Sequence, residues 1–453
     1  MNMLTLRIFY RYRVPRGGEG LKRIGAVILP GALPALAAGV EPGTTAWMLV
    51  STALVLLMTP ALAFFYGGLV GQKNVLNTMA MSFAAAAAGG VAWALLGYSL
   101  AYGDGSAWVG GLDYAFLNGF LNQGKLAVSD GMPALLDLAF QGTFAIITAA
   151  LVSGSVVGRM RFSAWLLFST LWILFVYAPL AHWVWGDGLL SGALDFAGGT
   201  VVHINAAVAG VVAALVLGPR RNFGRVAFLP HNIPFVLLGA GLLWFGWFGF
   251  NAGSAYGANE TAALAFVNTF LAPAAAALVW IFLDYGSSGK ATAVGVATGI
   301  VVGLVAITPA AGYVGPLGAL WIGALTAPLS HLFIRYRPRL GLDDALDVFG
   351  AHGLGGIAGA LLTGVFASAA WGGTPGLLEG HAAQLWTQLK AVLYALLYSA
   401  LGTALLLFFT RLFLPLRVGK NDELVGLDAV LHGEEAYPVT EGAILVAEEG
   451  GRR

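Results

Sequence analysis

The stretch Asp195-Phe-Ala-Gly-Gly-Thr-Val-Val-His203 sets two ionisable residues in an otherwise apolar run, and Asp347-Val-Phe-Gly-Ala-His352 repeats the arrangement further on. An ionisable side chain inside a membrane-length helix is costly and faces the protein interior or a pathway, so each histidine is a functional candidate. Two of them, in matching places of two halves of one chain, point to a conduction route lined by imidazole.

The flanking sequence agrees with a setting in lipid. Of 453 residues, 58% are hydrophobic and only 10% charged, against about 25% charged in a soluble domain. A net charge of +1 argues against a nucleic-acid partner, and the lack of cysteine removes disulfides and thiolate metal sites. Apolar runs of roughly 20 residues or more, enough to span a bilayer, recur at Thr44–Leu69, Val75–Tyr102, Met132–Val157, Phe162–Gly186, Phe196–Leu217, Ile233–Ala255, Thr261–Tyr285, Ala291–Val314, Gly315–Ile334, Val348–Ala367 and Leu385–Leu412. The runs are continuous rather than alternating, which favours helices over barrel strands. The expected fold is an all-α integral membrane protein of eleven transmembrane helices. Helices 1–5 and 6–10 would form an inverted pseudo-twofold repeat around a central pore, with His203 in the fifth and His352 in the tenth.

Residues 1–38 form a separate leader. Arg7, Arg11, Arg13, Arg16, Lys22 and Arg23 precede the short apolar run Ile24–Ala38, the pattern of a signal peptide. An uncleaved interfacial helix is the alternative. The domain plan is therefore a leader at 1–38, a transmembrane unit at 44–412 and a tail at 413–453. Lys73, Arg159, Arg161, Arg220, Arg221, Arg225, Lys290, Arg335, Arg337 and Arg339 all fall in alternate connections, whereas Lys125 is the clear cation of the others. The positive-inside rule then places the mature N-terminus outside and the tail in the cytoplasm, with the protein in the cytoplasmic membrane.

Three groups of residues carry chemistry. If the rings of His203 and His352 meet, one N–H donates to the other ring and the pair can pass a proton. Two buried structural histidines bonded to carbonyls are the alternative, and haem ligation finds no further support. Phe144, Trp185 and Phe250, with the hydroxyl of Ser254, could face a vestibule and hold a cation against aromatic faces; an interfacial belt and core packing are the bland reading. Asp195 and Asp347 stand where helices begin, so capping of free N–H groups is favoured over ion binding. No catalytic set, phosphate loop or metal motif is found, His182 and His331 included, which excludes an enzyme and leaves no cofactor to expect.

At these residues the chain resembles the ammonium transporter (Amt/Mep/Rh) family, in its bacterial ammonium-transporter branch. The resemblance is carried by Asp195–Asn205, Phe65-Tyr-Gly-Gly68, Phe140-Gln-Gly-Thr-Phe144, Trp247-Phe-Gly-Phe-Asn-Ala-Gly-Ser254 and Asp347–His352, and runs from about Ala46 to Tyr437. It implies a homotrimer with one pore per subunit, carrying ammonium, with methylammonium as an analogue. It implies an external recruitment site at Phe144, Trp185 and Ser254, a gate of Phe144 and Phe250, and a twin-histidine pore at His203 and His352. Thr143, Ala351 and Gly355 are small departures, and Asp187 adds a carboxylate beside Trp185. The tail Gly426–Tyr437 resembles the family's cytoplasmic tail, with Val425 where a glutamate is common, and implies a PII-type signalling partner. The expected mechanism is recruitment of the cation, its deprotonation, and passage of ammonia along a hydrophobic pore. A passive ammonia or carbon dioxide channel of the Rh kind and an ammonium sensor are the alternatives.

Overall fold

The structure, a computed structural model, describes residues 39–226 and 228–437. The leader expected at 1–38 and the end of the tail lie outside the described residues. Among those described, ten helices are long and apolar enough to cross a membrane: α1 (Pro42–Leu69), α2 (Gln72–Tyr102), α3 (Ala134–Val156), α4 (Phe162–Trp185), α5 (Gly199–Leu217), α6 (Ile233–Gly253), α7 (Glu260–Ser288), α9 (Pro316–Leu340), α10 (Phe349–Phe366) and α11 (Ala382–Phe413). Between α7 and α9 lies α8 (Ala293–Ile307), apolar but only 15 residues long.

The sequence run at this point continues to Val314, and the structure shows why the helix stops earlier. Thr308 is still helical, with its N–H on the Val305 carbonyl at 3.2 Å, but Pro309 has no N–H to continue the ladder and the chain beyond it turns. The carbonyls released there are taken up by Asn268 of α7, whose side-chain amide donates to Ala311 O and Val314 O at 2.9 and 2.8 Å. Apolarity continues through the turn, so hydropathy alone misses it.

Helices in lipid gain little from hydrophobicity between themselves and pack through small residues. The α1–α6 pair shows this along its length. A Cβ placed on Gly249 of α6 would stand 2.6 Å from the Leu54 Cβ and 2.8 Å from the Ser51 carbonyl oxygen. The two histidine-bearing turns also meet one another where α5 and α10 begin.

Four of the spans contain a π-helical turn: Trp93–Gly97, Ile173–Tyr177, Gly199–Ile204 and Phe349–Gly353. Such turns are rare and concentrate at functional positions. The long connection from α2 to α3 carries two short hairpins, β1 (Leu121–Asn122) with β2 (Lys125–Leu126), and β3 (Val128–Ser129) with β4 (Met132–Pro133). At the opposite face, the tail returns as α12 (Lys420–Val425) and a π turn at Asp428–His432.

Candidate functional site

The site is built from two helix starts. Before α5, Gly198 adopts φ 114°, a left-handed conformation open to glycine at little cost. This reversal folds the Asp195 carboxylate over the opening turn, where it accepts from the N–H groups of Gly198, Gly199, Thr200 and Val201 at 2.6–3.1 Å. Those are the donors that a helix start leaves unpaired. The Asp195 backbone carbonyl accepts from Trp185 Nε1 at 2.9 Å, which fixes the indole beside the same turn.

The second start corrects the sequence reading. Asp347 does not cap α10: its own φ is 58° and its carboxylate instead forms an ion pair with Arg337 Nε at 2.6 Å. Asp344 takes the capping place, accepting from Phe349 N at 2.7 Å and from Ser155 Oγ at 2.7 Å. The left-handed backbone at Asp347 turns its side chain away from the helix axis, which residue spacing from the nearest aspartate does not reveal. The clue available in the sequence was the offset of eight residues common to Asp195–His203 and Asp344–His352.

The two π turns bring the imidazoles together. His203 and His352 are buried, and their Nδ1 atoms lie 3.2 Å apart with ring centroids at 5.3 Å. One Nδ1 must donate and the other accept. Whichever ring holds the shared proton, one Nε2 of the neutral pair is an N–H and the other a lone pair. His203 Nε2 is buried without a protein partner. Trp247 stacks on His203 at 5.4 Å and donates its indole N–H to Thr308 Oγ1 at 2.9 Å, holding the ring plane. The sequence reading quoted Trp247 in a motif but gave it no role.

A narrow cavity runs past these rings. Its volume of ≈ 10 Å³ is room for about one water-sized molecule. Apart from the histidines and the Trp247 indole its walls are apolar, with Leu62, Ile147, Leu151 and Leu243 among them. Phe250 closes one end and stacks on Phe144 with centroids 4.1 Å apart and planes at 22°. Beyond that stack, Trp185 meets Phe144 edge-on at 6.2 Å. Ser254 donates its hydroxyl to the Phe250 carbonyl at 2.9 Å, so its oxygen lone pairs stay available to an incoming donor. Trp185 and Ser254 are half-buried, whereas both phenylalanines are fully enclosed.

His352, Phe65 and Val301 also line a second cavity of ≈ 1000 Å³ toward the tail-bearing face, edged by Lys73, Arg220, Arg337 and Asp347. The tail rests on that face. The Asp428 carboxylate accepts from Leu76 N and Asn77 N at 3.0 and 2.8 Å, and Lys73 donates to the Glu423 carbonyl at 2.9 Å. All six residues expected to line the path, Phe144, Trp185, Ser254, Phe250, His203 and His352, therefore fall along one line of contacts. No group of three or more potential metal-ligating residues occurs among the described residues.

A sequence model described as the Ammonium Transporter Family matches residues 46–437. An ammonium transporter of Aquifex aeolicus is 54% identical over 88% of this chain and 94% of its own length. The solved structure of Saccharomyces cerevisiae Mep2 superposes with a TM-score of 0.81 at 35% identity, covering 90% of this chain and 94% of that one. A structure described as a sensor Amt protein gives a TM-score of 0.80 at 26% identity, over 86% and 98% of the two chains.

Proposed function

This chain belongs to the ammonium transporter family, a family of multi-pass membrane proteins, and from that premise we propose how it moves ammonium. The cation trades part of its hydration for the faces of Phe144 and Trp185 and the Ser254 oxygen. On passing the Phe144–Phe250 gate it gives its proton to a neutral imidazole nitrogen of the His203–His352 pair, and neutral ammonia follows the apolar passage. The paired imidazoles of His203 and His352 pass the proton and align the ammonia, offering it one N–H and one lone pair. A charge at the centre of a bilayer costs at least ~2.5 kcal/mol even on the mildest scale, so deprotonation lowers the barrier. Alkali cations have no proton to lose, which excludes them without a size filter. The observation that carries this reading is the 3.2 Å contact between two imidazoles on the wall of an otherwise apolar passage behind an aromatic stack.

The reading extends to the surroundings. The transmembrane unit spans 44–412 of the cytoplasmic membrane, with 1–38 a signal peptide whose removal leaves the mature N-terminus outside, and the 413–453 tail inside. Support comes from the tail's contacts with Lys73, Arg161 and Arg221, cations of three different connections. Helices 1–5 and 6–10 form an inverted repeat, a reading favoured by the α1–α6 packing and the matching π turns of α5 and α10. The assembly is a homotrimer, and the tail is where a PII-type signalling protein would act.

The test is ammonium or methylammonium flux into proteoliposomes, comparing the parent with His203→Ala and His352→Ala. Loss of ammonium-selective flux in both variants is expected. Two variants that keep the parent's rate and ion selectivity would overturn the assignment. A parent that gives flux without an ammonium-evoked current would favour the passive channel, and a parent without flux the sensor.

A further inference from the structure

The cavity on the tail-bearing face holds a third histidine that the scheme above leaves unused. His331 of α9 sets its Nε2 3.2 Å from Asp284 Oδ1 of α7. An ionised carboxylate only accepts, so Nε2 carries the hydrogen and Nδ1 keeps its lone pair. Nδ1 is buried and has no protein partner. The ring is held on its other side by Trp280, edge-on at 5.1 Å. Asp284 is equally constrained, since Oδ2 accepts from Thr292 N and Thr292 Oγ1 at 3.1 and 2.8 Å. A carboxylate that fixes the tautomer and orientation of an imidazole, leaving its far nitrogen free, is the arrangement of a working acid–base histidine.

Position matters as much as geometry. His331, Asp284 and His352 line one cavity, and His352 also lines the narrow passage. Of the other charged groups there, Asp347 pairs with Arg337, Arg220 with Asp343 and Glu423 with Arg417, Lys73 and Arg221 donate to tail carbonyls, and Arg225 lines the cavity as well. Arg335, one turn along α9, also lines the cavity. Asp284 is thus the acid in contact with the ring. The chain spends a buried ionisable pair here, within two membrane-length helices, where such residues mark ion and proton pathways.

We infer that His331, oriented by Asp284, is the proton donor that returns ammonia to ammonium as it leaves the passage. Nδ1 first takes a proton from solvent entering the cavity, giving an imidazolium ion-paired to Asp284. The ammonia lone pair then takes that proton: one N–H bond forms in ammonium as the Nδ1–H bond breaks, and His331 returns to neutral. No electrons are gained or lost. The inference rests on the transport reading and adds a residue to it.

The experiment measures ammonium-evoked flux in proteoliposomes whose internal pH is set between about 6 and 8. His331→Gln is expected to lower the maximal rate at least about tenfold, a modest share of what acid–base groups contribute. It should also flatten the dependence on internal pH while leaving half-saturation by external ammonium within about twofold of the parent, because the recruitment residues are untouched. Asp284→Asn should move the pH profile in the same direction, and its profile decides the matter if His331→Gln does not elute as one species in detergent. A merely structural role would leave the profile of internal pH unchanged. A variant with the parent's rate and profile, while His203→Ala is inactive, overturns this inference alone; a parent without flux overturns the transport reading beneath it.

Discussion

Asp195 and Asp344 stand in the same relation to the two buried imidazoles, each eight residues ahead of its histidine with its carboxylate on the opening turn of the helix that carries it. They differ in load. Asp195 receives four backbone N–H groups, Asp344 one together with the Ser155 hydroxyl. Hydrogen bonds to a charged group contribute about 1.5–3 kcal/mol each, more when loss strands a buried donor. Asp195→Ala is therefore expected to abolish flux and lower the detergent melting temperature sharply. Asp344→Asn, which keeps an acceptor for Phe349 N and a partner for Ser155, should fold and retain part of the flux. Equal damage from both would show that negative charge, rather than capping, is what the histidine turns need.

Recruitment should separate from conduction in kinetics. Ser254 lies beyond the Phe144–Phe250 stack with its oxygen lone pairs free, and it spends its own hydrogen on the Phe250 carbonyl. Losing one acceptor worth about 0.5–1.5 kcal/mol should raise half-saturation for methylammonium roughly two- to tenfold in Ser254→Ala. The maximal rate should hardly move. A fall in maximal rate at constant half-saturation would instead place the hydroxyl's role in holding α6.

Much of this was legible before any coordinates. The apolar runs located the spans because a lipid environment forces long, continuous helices, and the two histidines stood out as candidates because ionisable groups are costly there. Other features depend on directions that a sequence does not display. Hydropathy carries on through Thr308-Pro309-Ala310-Ala311, so it hid the early end of α8 that Pro309 alone signals. Asp347 is nearer to His352 than Asp344, but a left-handed φ sends it to Arg337. The Asp284–His331 contact joins two helices 47 positions apart, and nothing in either run marks the partner.

The tail closes on α2 through a cap supplied from far along the chain. Asp428 accepts from Leu76 N and Asn77 N, Leu427 N donates to Asn74 Oδ1 at 2.9 Å, and His432 Nε2 meets Asn77 Oδ1 at 3.1 Å. Removing a capping carboxylate costs about 0.5–2 kcal/mol. Asp428→Ala should therefore leave the transmembrane unit folded while the tail lifts from its seat. Limited trypsin digestion in detergent should cut faster at Lys420 than in the parent. An unchanged digestion rate would mean that the remaining contacts, those of Lys73, Asn74, Asn77, Arg161 and Arg221, hold the tail without Asp428.

The pH dependence of stability should be set in part by Asp343. Burial alone would raise this carboxyl, but the Arg220 hydrogen bonds and the charges of Arg220 and Arg159 hold it below its ordinary value of 3.8. Arg220 grips it with Nε at 2.9 Å and a terminal nitrogen at 2.6 Å, and donates its backbone N–H at 2.7 Å. The Arg159 guanidinium, fully enclosed, is lowered to about 10 by burial, against the pull of Asp343. A carboxyl lowered on folding leaves the unfolded chain holding more protons just below 3.8, so its stabilising contribution is complete above that value and is lost as pH falls through the folded one. Asp343→Asn removes the contribution and leaves two cations short of a counter-charge, a loss of roughly 3–5 kcal/mol for a buried pair. The detergent melting temperature of the variant should lie well below the parent's at pH 7, and the gap should narrow as the parent is acidified below 3.8. A gap of constant size across that range would show that Asp343 acts through packing and its backbone carbonyl, which accepts from Arg159 at 2.6 Å, rather than through its charge.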